Sequence, residues 1–98
     1  MSDLDSVRAS FESHLRHERN LSTHTIRAYL GDLESLFRQL RVLQVERIEE
    51  LELSHIQSWL ATMQVKGGAR TSLSRRAVSI RLFTQWAFKA GLIASDVG

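Results

Sequence analysis

Ile26, Tyr29, Leu30, Leu33, Leu36, Phe37 and Leu40 recur at spacings of three and four. That period belongs to an α-helix with one buried side; a strand would repeat every second residue. Ser22 precedes the stripe as an N-cap, since its hydroxyl accepts from the free N–H groups of a first turn. The segment from Ser22 to Leu40 predicts a rod of about 28 Å, at a rise of about 1.5 Å per residue. A rod with one apolar side is stable only when something covers it, so the rest of the chain must pack around this helix.

Three further segments have the same period. Leu4, Val7, Phe11 and Leu15 predict a helix over residues 3–18, with Asp3 and Asp5 at its positive end and Asn20 as its stop. Ser54 and Gln57 form an S-x-x-Q capping box ahead of Ile56, Trp59, Leu60 and Met63, and Gly67-Gly68 ends that third helix. A fourth helix is predicted from Ser72 to Ala90, stopped by Gly91, with Leu73, Ala77, Ile80, Thr84 and Ala87 along one side. Phe83 and Phe88 flank that side, and Leu92 and Ile93 are placed for a C-capping contact. Between the second and third helices, Ile48, Leu51 and Leu53 are expected to anchor a loop or short turn, with Glu46, Glu49, Glu50 and Glu52 in solvent.

The chain has no proline, five glycines and 98 residues. That argues against a turn-rich β-sandwich and for one domain of a few long helices. The expected class is therefore all-α, a four-helix bundle around one core spanning residues 1–98. There is no cysteine, which excludes disulfides, thiolate metal sites and a cysteine nucleophile. Apolar runs stop at three residues, too short for a membrane span. The opening residues MSDLDSVRAS carry acids and no apolar stretch, unlike a signal peptide.

Charge is unevenly divided. Residues 1–53 hold seven Arg and ten Asp or Glu, a balance of −3. Residues 54–98 hold six Lys or Arg and one acid, Asp96, a balance of +5. Such asymmetry suits a polyanionic partner, or merely an unevenly solvated surface. On the second helix, Thr25, Ala28, Gly31, Asp32 and Ser35 lie away from the leucines and are mostly small. Gly31 in mid-helix costs about 1 kcal/mol relative to alanine, which fits close approach of a second helix or of a DNA backbone. On the fourth helix, Ser72, Arg75 and Ser79 share one polar line, with Arg76 beside it and Lys66, Arg70 and Thr71 upstream. Arginines near free N–H groups at a helix start make a phosphate receptor, or are simply solvated. Leu82 and Trp86 continue that line as apolar positions.

Catalytic constellations are absent. Tyr29, the single tyrosine, belongs to the core stripe, and His14, His17, His24 and His55 read as surface residues. His14 and His17 lie three apart but lack a third metal ligand, so no metal or cofactor is expected. No Walker loop, H-E-x-x-H or nucleophile elbow occurs.

Two segments resemble the N-terminal, core-binding domain of tyrosine site-specific recombinases, the phage-integrase and Xer family. Leu21-Ser22-Thr23-His24-Thr25-Ile26-Arg27-Ala28-Tyr29 followed by Asp32-Leu33 matches L-S-x-x-T-x-x-x-Y-x-x-D-L. Ser72 to Arg75, then Ser79-Ile80-Arg81 with Phe83, then Gly91-Leu92-Ile93 match S-x-x-R, A-I-R-x-F and G-L-I. Glu18-Arg19 also fits, and the ending looks most like the cellular Xer branch. The sequence also departs from the pattern: Ser79 stands at the alanine of A-I-R-x-F, Thr84 where tyrosine is usual, and Asp96-Val97 where Asn-Pro usually closes the domain.

The resemblance implies a four-helix, SAM-like orthogonal bundle that lays two helices in the major groove of double-stranded DNA. A catalytic domain, absent from this chain, would close the clamp from the other side. It implies DNA contacts from Ser22, Thr25, Arg27, Ala28 and Gly31 on the second helix, and from Arg70, Thr71, Arg75, Arg76 and Ser79 at the fourth. Within that group, Arg27, Arg70, Arg75 and Arg76 are the phosphate-contact candidates, and Arg75 is the candidate for base reading. It also implies a cytoplasmic protein, no membrane, and a second recombinase protomer on synapsed DNA, touched through the first helix. The fragment itself is then a binding module for a recombination core site, as in chromosome dimer resolution, and not an enzyme. Two alternatives are a SAM-like protein-interaction module using Leu82, Trp86 and the small stripe, and the core-binding domain of a phage-type integrase.

Overall fold

The chain folds as α1 (Leu4–Ser13), a π-helical turn (His14–Glu18), α2 (Thr23–Val42), a 3₁₀ turn (Ile48–Glu50), α3 (Leu53–Val65) and α4 (Arg70–Lys89). The structure is a computed structural model that describes residues 4–66 and 70–94, with backbone alone at residues 70–72. Among the described residues there is no strand, and no helix is long and apolar enough to cross a membrane. This is the expected four-helix, SAM-like bundle.

Helix α2 touches each of the other three helices. Ser22 caps it, with extended backbone (φ −64°, ψ 153°) and an Oγ that accepts from the Thr25 amide at 3.2 Å. Leu21, just ahead of the cap, packs on the core in the position of a hydrophobic staple. Ile26, Leu30, Leu33, Leu36, Phe37 and Leu40 are buried along the helix.

The remaining elements close over that stripe. Leu4, Val7, Phe11 and Leu15 are buried from the N-terminal segment. Phe83 of α4 has no exposed surface and meets Phe11 and Phe37 edge-on, at centroid distances of 5.3 and 5.7 Å. Three helices therefore meet in one aromatic junction. Trp59 of α3 is also fully buried, and its indole N–H donates to Ser35 Oγ at 2.9 Å. That bond satisfies the one polar atom the ring would otherwise strand in the core.

Several boundaries differ from the sequence expectation. The first helix is not α-helical to residue 18. After Ser13 it widens into a π-helical turn, closed by Arg19 N–H on His14 C=O at 3.1 Å. Asn20 does break the chain direction, with φ +51°, a left-handed conformation that asparagine tolerates. His14 is no surface histidine: its ring stacks on Phe11 and lies 6.0 Å from Trp86. Helix α3 starts at Leu53, so Ser54 is not its cap; Glu52 is, and its N–H donates to His55 Nδ1 at 2.9 Å. Ile48 and Leu51 anchor the connection, whereas Leu53 is exposed.

Helix α4 begins at Arg70, ahead of the expected Ser72, and ends as expected before Gly91 (φ +78°). Leu92 N–H then returns to Ala87 C=O at 2.8 Å and Ile93 is buried. The positions Asp3, Gly67-Gly68 and Asp96-Val97 lie outside the described residues.

Phe83 and Phe88 look equivalent in the sequence, yet Phe88 is 47% exposed. Phe83→Ala should therefore cost about 3–5 kcal/mol of unfolding free energy by cavity creation. Phe88→Ala should stay within about 1 kcal/mol of wild type. Urea denaturation of both variants checks this contrast.

Candidate nucleic-acid interface

Asp32 is the turning point of the polar surface. The sequence places it among the small, outward residues of α2, but its side chain is only 4% exposed. It faces α4. Arg75 grips it from the side, Nε donating to Oδ2 at 3.1 Å and Nη2 to Oδ1 at 2.7 Å. Ser79 Oγ donates to Oδ2 at 2.9 Å. Arg76 Nε stands 3.8 Å from Oδ1. A buried carboxylate needs both charge compensation and donors for its lone pairs, and α4 supplies both.

This geometry corrects one expected contact. Ser79 is 1% exposed and cannot reach a duplex; it closes the Asp32 site from within. The polar line of α4 is thus partly an internal seam, because α2 carries an acid where α4 passes. The expected DNA-contact residues Arg70 and Thr71, with Ser72 of the same line, have side chains outside the described residues.

Arg75 and Arg76 are not simply solvated. Arg75 remains 40% exposed and Arg76 22% exposed. The hydrogen bond with Asp32 holds the Arg75 pKa above the ordinary arginine value, against the opposing effect of burial and with further help from the Asp32 charge. Raising an arginine pKa keeps the group charged, so its stabilising effect is complete below the unfolded-state pKa, throughout the range in which duplex DNA exists. Two guanidiniums share one carboxylate, which leaves a surplus positive charge at this seam. The inner Nη1 of Arg76 is buried without a hydrogen-bond partner.

On α2, His24, Arg27, Gly31 and Arg38 are all exposed. Their spacings of three, four and seven put them on one line of the helix. Ala28 is half-buried beside that line, on the side toward Asp32. Arg41 is tied to Asp5 at 2.8 Å, whereas no ion pair holds Arg27 or Arg38 among the described residues. Arg38 was not singled out from the sequence. The signal was there, since it stands two heptad steps beyond His24 and one beyond Gly31.

Gly31 is the other informative position. A Cβ built there meets no atom within 4 Å. Close packing of a second helix of this chain therefore does not explain the glycine. Ser22 and Thr25 are partly spent on the cap: Ser22 Oγ also donates to Thr25 Oγ1 at 3.0 Å. Ser22 stays exposed and Thr25 half-buried, and the Thr25 hydroxyl, an acceptor in the cap, keeps its own proton to donate.

Comparison with known proteins adds a family. The family described as "Phage integrase, N-terminal SAM-like domain" matches residues 9–91. The chain is 42% identical to "Tyrosine recombinase XerC" of Mycobacterium sp. (strain KMS), over 95% of this chain and 31% of that relative. It is 41% identical to "Tyrosine recombinase XerC" of Mycobacterium tuberculosis (strain CDC 1551 / Oshkosh) and of Mycobacterium bovis (strain BCG / Pasteur 1173P2), with the same shares. The chain thus spans about a third of the length of these curated relatives. No solved structure matches it.

Two stability changes follow from the geometry. Arg75→Ala should destabilise by about 1–3 kcal/mol, less than a fully buried pair because Arg75 is half in solvent and Arg76 remains. Gly31→Ala should instead stabilise by about 0.5–1 kcal/mol, since the helix gains propensity and nothing is in the way. Thermal melts followed by far-UV circular dichroism measure both.

Proposed function

Because the chain belongs to the family of phage-integrase N-terminal SAM-like domains, we propose that it binds duplex DNA as the core-binding half of a clamp. In this reading α2 and α4 straddle the major groove of a recombination core site. The observation that carries it is the exposed line of α2, Arg27, Gly31 and Arg38, with no ion pair on either arginine among the described residues, together with the net positive charge that Arg75 and Arg76 leave around Asp32 on α4. Unpaired cations meet phosphates, and an uncovered glycine lets the helix sit close to the backbone. Ser22, Thr25 and Ala28 at α2, with Arg70 and Thr71 at α4, are added to this contact on the family resemblance.

The likeness to XerC proteins supports a finer reading. The chain is the DNA-gripping part of a XerC-type tyrosine recombinase acting in the cytoplasm on chromosome dimers. The nucleophile and catalytic arginines then lie in the remaining two-thirds of the protein, and this segment catalyses nothing alone. A second recombinase protomer, seated on the same synapse, is its protein partner.

Duplex binding by the 98-residue chain should be weak and steeply salt-dependent. With about four to six phosphates neutralised, log K falls with log salt at a slope of roughly −4 to −5. Arg27→Ala and Arg38→Ala should each flatten that slope by about one. Combined Arg75→Glu and Arg76→Glu should abolish binding. Fluorescence anisotropy titrations at several salt concentrations give all three results. Absence of binding at low salt, or a slope untouched by these substitutions, would favour the protein-interaction reading instead.

A further inference from the structure

We propose that Asp32 is a positioning residue that presents Arg75 to the major-groove edge of a guanine, so that one base pair of the bound duplex is read through this pair. The inference rests on the duplex-binding reading above and adds to it which contact carries sequence information.

A guanidinium holds five N–H donors in one plane. Asp32 takes one from Nε, at 3.1 Å, and one from Nη2, at 2.7 Å. Both lie on the same edge of the plane. The distal edge, between Nη1 and Nη2, keeps its own pair of parallel donors. The pair is anchored at one end and open at the other, for Asp32 is 4% and Arg75 40% exposed. Ser79 fixes the carboxylate in turn, so the free fork has a set direction and little rotamer freedom left to lose on binding.

The charge distribution chooses between base and phosphate. Asp32 is bonded directly to Arg75, so a phosphate approaching this fork meets a partly offset charge with a carboxylate behind it, and the net positive charge of the three groups sits toward Arg76. Guanine presents two acceptors, O6 and N7, on a neutral flat edge. It gains from a rigid planar fork and loses nothing to the nearby carboxylate. Arg76 is the looser partner of the shared acid: its Nε stands 3.8 Å from Oδ1, beyond hydrogen-bond distance, so its charge is the one left over for the backbone. Arg75 also lies in the N-terminal half of α4, the part of a groove-bound helix that reaches base edges in helix-turn-helix proteins.

The test uses a duplex pool with a randomised core, selected on the 98-residue chain and sequenced. The wild-type pool should fix guanine at one position, with discrimination of roughly tenfold or more over the other bases. Asp32→Asn should erase that preference and steepen the salt slope by about one, because the Arg75 charge is unmasked. Arg75→Lys keeps the charge but removes the fork, and must lose the same preference; it guards against a poorly folded Asp32 variant, with circular dichroism as the folding control. Arg76→Gln should weaken binding to all sequences and leave the guanine in place. A wild-type pool without an enriched guanine overturns the inference while DNA binding stands. So does a guanine preference that survives Asp32→Asn in folded protein, or Arg75→Lys. A wild-type chain that retains no duplex overturns the binding reading itself.

Discussion

A carboxylate held between two helices decides how this bundle is turned. Apolar burial along α2 has no direction of its own; a helix with six buried apolar side chains could rotate a little and bury nearly as much. The Asp32 site cannot be rotated in that way. Its bonds to Arg75 and Ser79 are short and directional, and a buried acid without them would be strongly unfavourable. Register between α2 and α4 is thereby fixed, and with it the position of every outward side chain on the two helices.

That arrangement separates two kinds of arginine. Arg8 lies 2.6 Å from Glu34, and Arg16 and Arg41 are each 2.8 Å from an acid. These pairs neutralise the α1 side of the molecule, which agrees with the acidic balance of the first half of the sequence. Arg27 and Arg38 are exposed on α2, and among the described residues no ion pair holds them. The lopsided charge of the chain is thus a difference between surfaces as well as between halves.

Much of the architecture was legible because helical periodicity is a local signal. The stripes of α1, α2 and α4 needed no knowledge of what they pack against. Ends were less legible. The Glu52–His55 cap competes with an S-x-x-Q pattern two residues later, and only backbone geometry separates them. The polar stripe of α2 reads in the sequence as one outward group, whereas in the structure only Gly31 of its five members is exposed. Ser35 accepts the Trp59 indole proton, Asp32 anchors α4, and Thr25 belongs to the cap. Each role depends on a residue distant in sequence or on a cap conformation. The burial of Ser79 has the same cause: its line on α4 looks outward until α2 is laid against it.

The π-helical turn at His14–Glu18 has a consequence for chain length. Such a turn holds one residue more than the α-helical turn it replaces. Leu4, Val7 and Phe11 lie ahead of it and are buried by a separate stretch of helix. Loss of one residue inside the turn would leave an ordinary α-helix there. This is where a homologous chain could differ by a single residue and still deliver the same Ser22 cap to the same place.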